Sequence, residues 1–160
     1  MIKQLIIGTI ESGKTQLLNT FNAVPDDKLG WKPLDNGRSA LDLAGDAAQV
    51  PLLAIQMLQL APDATVPPMR EAFAKMSAER VNWTKADVIE HLEANCTALT
   101  TVIKSLSDED LSRPLSIPMG PEFTMTLPLA GWAMMAYRTY ISRFAQINYI
   151  QTLYGDFEGH

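Results

Sequence analysis

Apolar residues return at helical spacing along most of the chain. Ile2, Ile6, Ile10, Gly13, Leu17, Phe21 and Val24 step by threes and fours, which is one face of an amphipathic helix. Pro25-Asp26-Asp27 closes that helix. Residues 28–38 carry Pro33 and an Asn36-Gly37 turn, and Trp31 is expected to fold over the helix ends as a plug. Ser39 is placed as the N-cap of a second helix, with Asp42 as its reciprocal partner. Leu41, Ala44, Ala48, Leu52 and Ile55 form that helix's stripe, reaching Leu60. Pro51 lies inside it and should kink it, at about 3 kcal/mol unless packing compensates.

Residues 61–68 read as a connector and residues 69–78 as a short helix. Thr84 and Asp87 form a capping box ahead of Val88, Leu92, Cys96, Leu99, Ile103 and Leu106, a third long stripe. Ser107 to Asp110 repeats the start signal for a single turn. Residues 113–126 hold Pro114, Pro118, Gly120 and Pro121. Phe123 to Leu127 alternates weakly, which suits an extended segment or edge ribbon and not a buried central strand. Pro128 opens the last helix, whose stripe is read as Ala130, Met134, Tyr137, Ile141, Phe144 and Asn148, with Gly155 as its stop. The fold expected is all-α: one domain over residues 1–160, a four-helix bundle with a long crossover between helices 2 and 3.

Composition narrows the function classes. Of the 160 residues, 47% are hydrophobic and 19% charged, as in a globular domain with a real core. A net charge of −5 without a Lys/Arg cluster leads us to expect no nucleic-acid partner and no membrane partner. No apolar run is long enough to span a bilayer, and no secretory signal opens the chain. The single Cys96 excludes an internal disulfide and any CxxC motif, so a cytoplasmic location is expected.

One motif tempts toward nucleotide chemistry. Gly8-Thr9-Ile10-Glu11-Ser12-Gly13-Lys14-Thr15 fits GxxxxGK[ST], Asp42-Leu43-Ala44-Gly45 fits DxxG, and Thr84-Lys85-Ala86-Asp87 fits the guanine-reading TKxD. A phosphate-binding loop works only between a strand and a helix, and its magnesium needs an apolar strand ending in Asp. Helical periodicity instead runs unbroken through residues 8–15. A P-loop hydrolase is therefore the remote alternative.

Three stretches taken in order, VPDDKLGWKP (24–33), GRSALDLAGDAAQV (37–50) and QINYIQTLYG (146–155), together with LSDEDLSRP (106–114), resemble the DinB/YfiT-like family. The resemblance implies a four-helix bundle, a homodimer, and zinc or nickel held by one histidine on the second helix and two on the fourth. It also implies the alternative activity of a metal-dependent thiol S-transferase or hydrolase. The matching positions here are Asp46, Thr139 and Arg143, with Gln146 following.

None of the three is histidine, and Arg143 offers no lone pair and repels a cation. No cofactor is therefore expected, and Asp46 and Arg143 are predicted to pair, joined by Gln146 or Thr139. The leading expectation is a bundle with a degenerate metal site, non-catalytic or binding a small molecule in a cavity of Asp46, Thr139, Arg143 and Gln146. Arg143 would anchor a small anionic ligand. His91 is read as a partly exposed structural residue, His160 as disordered, Cys96 as core packing, and the methionines as gap-fillers.

Overall fold

The structure is a computed structural model that describes residues 1–61, 64, 69–120 and 122–160. The predicted connector lies largely outside the described residues. Four long helices carry the core: α1 (Ile2–Asn22), α2 (Ala40–Gln59), α4 (Lys85–Ser105) and α7 (Met135–Leu153). Between them lie the shorter α3 (Met69–Glu79), α5 (Asp108–Ser112) and α6 (Leu129–Ala133), and the strands β1 (Pro114–Pro118) and β2 (Thr124–Pro128).

Side-chain contacts fix the direction of each helix. Thr20 of α1 bonds Asn148 and Gln151 of α7 at 2.9 and 3.0 Å, and Gly13 faces Tyr137 and Tyr140, so α1 and α7 run parallel. Gly45 of α2 faces Val88 and the Ala48 carbonyl accepts from Asn95, so α2 and α4 are parallel too. Lys14 pairs with Glu93 and Lys85 caps the carbonyls of Asn22 and Val24, which sets α1 against α4. The order is up, down, down, up. Two consecutive parallel helices require the chain to travel back the length of the bundle, and the segment holding α3 makes that return.

The first stripe is observed as read, with Ile6, Ile10, Gly13, Leu17 and Phe21 buried, although Ile2 is exposed. The capping boxes at Thr84 and Ser107 both form. On α2 the predicted stripe is too narrow. Fourteen residues from Ala40 to Leu58 are buried, because the helix touches α4, α7, α6 and α3 on different sides, whereas Leu52 faces solvent. The helix continues through Pro51. Asn95 bonds the Ala48 carbonyl, beside the Ala47 carbonyl that Pro51 leaves without its helical donor.

The last stripe is corrected. The buried face is Leu129, Trp132, Ala133, Ala136, Tyr140, Ile147, Ile150 and Gln151, and the read stripe sits one position off it for much of α7. The helix is interrupted at Met134, between α6 and α7, so a single period does not run from Ala130. Past Leu153, Asp156 N–H bonds the Gln151 carbonyl and Gly155 N–H the Thr152 carbonyl, with Gly155 at φ +95°. That is the left-handed stop a glycine supplies.

The proline-rich ribbon pairs fully: β1 and β2 form an antiparallel hairpin from Pro114↔Pro128 to Pro118↔Thr124. Leu115 and Ile117 point into the core, and Trp132 Nε1 donates to the Leu115 carbonyl at 3.0 Å. Trp31 packs edge-on against Tyr154 at 5.9 Å, as the plug expected of it. No helix of the described residues is long and apolar enough to cross a membrane.

Candidate functional site

The site forms where α2, α3 and α7 meet. Asp46 is 8% exposed, and it is the one buried carboxylate among the described residues. Arg143 reaches it across the bundle with Nε at 2.9 Å and Nη2 at 2.6 Å, both on Oδ2. Arg143 Nη1 donates to Gln146 Oε1 at 2.8 Å. The predicted pair is present and Gln146 joins it. Thr139 does not join: its hydroxyl donates to the Met135 carbonyl one turn back.

Two arginines that the sequence reading does not single out complete the cluster. Arg38, just before the helix, bonds Asp42 Oδ2 through Nε at 2.6 Å and stands 3.5 Å from Asp46 Oδ2. Arg80, just past α3, bonds Asp42 Oδ1 at 3.1 Å and Gln49 Oε1 at 3.0 Å, and lies 3.9 Å from Asp46 Oδ1. Three guanidinium groups therefore surround two carboxylates.

A Cβ on Gly45 would come within 3.2 Å of Arg80 Cδ, so the bare glycine lets Arg80 lie across α2. Burial pushes Asp42 up, but Arg38 and Arg80 more than offset that and hold it below the usual carboxylate range. Asp42 N–H does cap onto Ser39 Oγ at 3.2 Å, but its carboxylate is spent on the arginines, not on a capping box.

A cavity of about 240 Å³ adjoins the cluster. Asp46, Thr139 and Arg143 line its polar part, and Leu53, Met57, Trp132 and Met135 are among its apolar walls. Met69 and Phe73 of α3 and Met119 of the hairpin turn also line it, so four methionines read as fillers border open space. Gln146 lies instead with Arg38 in a separate, more open groove that Arg143 does not line. The four-residue cavity expected from the sequence is thus split between two faces.

The donor set does not suit a cation. Among the described residues no three of His, Cys, Asp and Glu come together, and Asp46 faces three positive groups. A guanidinium has no lone pair to give. His91 stacks on Trp83 at 4.2 Å and does not line the cavity. His160 is not disordered as expected: its Nε2 lies 3.0 Å from Asp156 Oδ2, within hydrogen-bond distance. Cys96 is buried, and burial pushes its thiol up, against the needs of a nucleophile.

Residues 8–15 lie wholly inside α1, so their N–H groups serve the helix and cannot wrap a phosphate. Lys14 is engaged by Glu93. The P-loop alternative falls with that.

A DinB superfamily family model matches residues 9–137. The chain belongs to the DinB superfamily. No curated protein matches it by sequence. Solved structures do match by fold. A mutant of the mycothiol-dependent maleylpyruvate isomerase is similar at TM-score 0.74 and 15% identity, over 91% of this chain and 60% of that one. This DinB chain therefore spans less than two thirds of the isomerase. YfiT from Bacillus subtilis, to which metal-dependent hydrolysis is ascribed on an unusual four-helix bundle topology, matches at 0.73 and 14%, over 96% and 87%. The colibactin self-resistance protein ClbS, in complex with dsDNA, matches at 0.71 and 12%, over 94% and 95%.

The last of these corrects one expectation. Net charge argues against nucleic acid, yet a bundle of this fold is solved bound to duplex DNA. Net charge averages the whole surface, while a phosphate backbone is met by local groups. The exclusion does not hold for DinB-type bundles.

Proposed function

We propose that this DinB-superfamily bundle binds a small molecule in the cavity beside Asp46 without metal chemistry, in the cytoplasm, its metal position occupied by an ion pair. The observation that carries the reading is the two-point contact of Arg143 on Asp46 Oδ2. Resemblance to the family puts metal ligands at both of these positions. An Asp and an Arg there satisfy each other's charge, and the guanidinium repels any cation approaching the carboxylate. Solvent-accessible volume next to that pair, walled by methionine and tryptophan, suits an apolar guest.

The maleylpyruvate isomerase and YfiT bring the second reading, a metal- or thiol-dependent transferase or hydrolase. It would need Asp46 released from Arg143 and two further donors. Elemental analysis of protein purified without a histidine tag decides between them. We expect far less than one zinc or nickel per chain, unchanged in Asp46→Ala. Stoichiometric metal that disappears in Asp46→Ala would establish the second reading.

A further inference from the structure

The cavity has a graded lining. Along α2, Asp46, Val50, the adjacent Leu53 and Ala54, and Met57 follow at one-turn steps; along the opposite wall Arg143, Thr139 and Met135 of α7 do the same, continued by Trp132 of α6. Because α2 and α7 run antiparallel, both series are polar at one end and apolar at the other. A guest that satisfies this lining has one polar head and an apolar body.

The charge at the head end decides which head. Arg38, Arg80 and Arg143 against Asp42 and Asp46 leave one positive charge in excess. Arg143 is also the releasable member. Arg38 at 3.5 Å and Arg80 at 3.9 Å also stand beside Asp46, so the carboxylate would not be stranded if Arg143 turned away. Arg143 alone of the three lines the cavity. Its planar N–H fork matches a carboxylate.

We infer that the cavity takes a small amphipathic monocarboxylate, its head on Arg143 in exchange for Asp46 and its body among Leu53, Met57, Trp132 and Met135. This rests on the metal-free reading above and adds to it the ligand class. Thr139 stands beside the head with its hydroxyl proton already given to Met135, which leaves it as an acceptor and not a donor to the ligand. Head selection therefore falls to Arg143.

Isothermal titration with octanoate, 1-octanol and octylammonium tests the inference, on wild type, Asp46→Asn and Arg143→Gln, with metal content measured on the same preparations. Octanoate is expected to bind one per chain, about tenfold more tightly than the alcohol, with the ammonium weakest. Asp46→Asn removes the competing carboxylate at constant shape and should tighten octanoate severalfold. Arg143→Gln should weaken it about tenfold, to the level of the alcohol. The isosteric Asp46→Asn and the three-ligand comparison on wild type stand even if Arg143→Gln does not fold.

Equal affinity for octanoate and octanol in wild type, or weaker octanoate binding in Asp46→Asn, overturns the inference. Metal-free protein that ignores octanoate overturns it while leaving the metal-free reading intact. Stoichiometric zinc or nickel in the same preparations overturns both.

Discussion

Asp46 carries most of what is specific to this chain. A site made from buried ions adds little stability against an apolar alternative, but removing one member exposes the other's desolvation. Arg143→Ala should cost about 2 kcal/mol, less than the roughly 3–5 kcal/mol of a fully stranded buried charge, because Arg38 and Arg80 remain nearby. Urea unfolding reads this, and an unchanged midpoint would mean the pair is idle. The reverse experiment supplies donors. Asp46→His, Thr139→His and Arg143→His together place three imidazoles where the family resemblance puts its ligands, and should give a protein that takes up one zinc in titration.

The Asp46, Arg143 and Gln146 cluster is readable from sequence because the motifs fix those positions by order along the chain. Arg38 and Arg80 are not. Asp42 looks fully explained as a capping partner of Ser39, which hides its pairing with Arg38, and nothing local marks Arg80, 38 residues on, as its second counter-ion.

Single helices show where periodicity succeeds and where it slips. α1 and α4 each bury one side, so their stripes are legible almost residue by residue. α2 is enclosed on several sides, and its apolar pattern has no polar face to set the phase. α7 misleads for a different reason: half-buried Ile141 and Phe144 flank a face that includes Tyr140 and Gln151, and polar residues in the core reverse the usual contrast.

The two glycines of the P-loop look-alike give a test inside one helix. A Cβ added at Gly8 would have nothing within 4 Å, whereas at Gly13 that atom would meet Tyr137 Cδ2 at 2.7 Å. Gly8→Ala should therefore stabilise by about 0.5–1 kcal/mol through helix propensity. Gly13→Ala should destabilise by about 1 kcal/mol, the ring displacement exceeding the same propensity gain. Thermal melts of the two variants shifting in the same direction would contradict the packing described.

At the scale of the molecule, the charged cluster ties down α3, which the core alone holds loosely. α3 buries only Met76, and Arg80 at its end is what fastens it to α2. Asp42 is held below the usual carboxylate range, so the stability its ionised form contributes is complete above about pH 4 and is lost as the pH falls through its lower folded value. Stability measured from pH 5 down to pH 2 should fall less steeply in Asp42→Asn than in wild type. Hydrogen exchange in α3 should rise ahead of α1 and α4 over the same range. Uniform loss of protection across the helices would show that Arg80 is not the fastening.

The up-down-down-up order sets the timing of assembly. Ile10, Leu17 and Phe21 are made first, and their cover on one side is α7, made last. At ordinary translation speed the wait is roughly ten seconds. A nascent chain in that interval shows a ribosome-bound amphipathic helix with a bare flank, the surface on which a holding chaperone would settle.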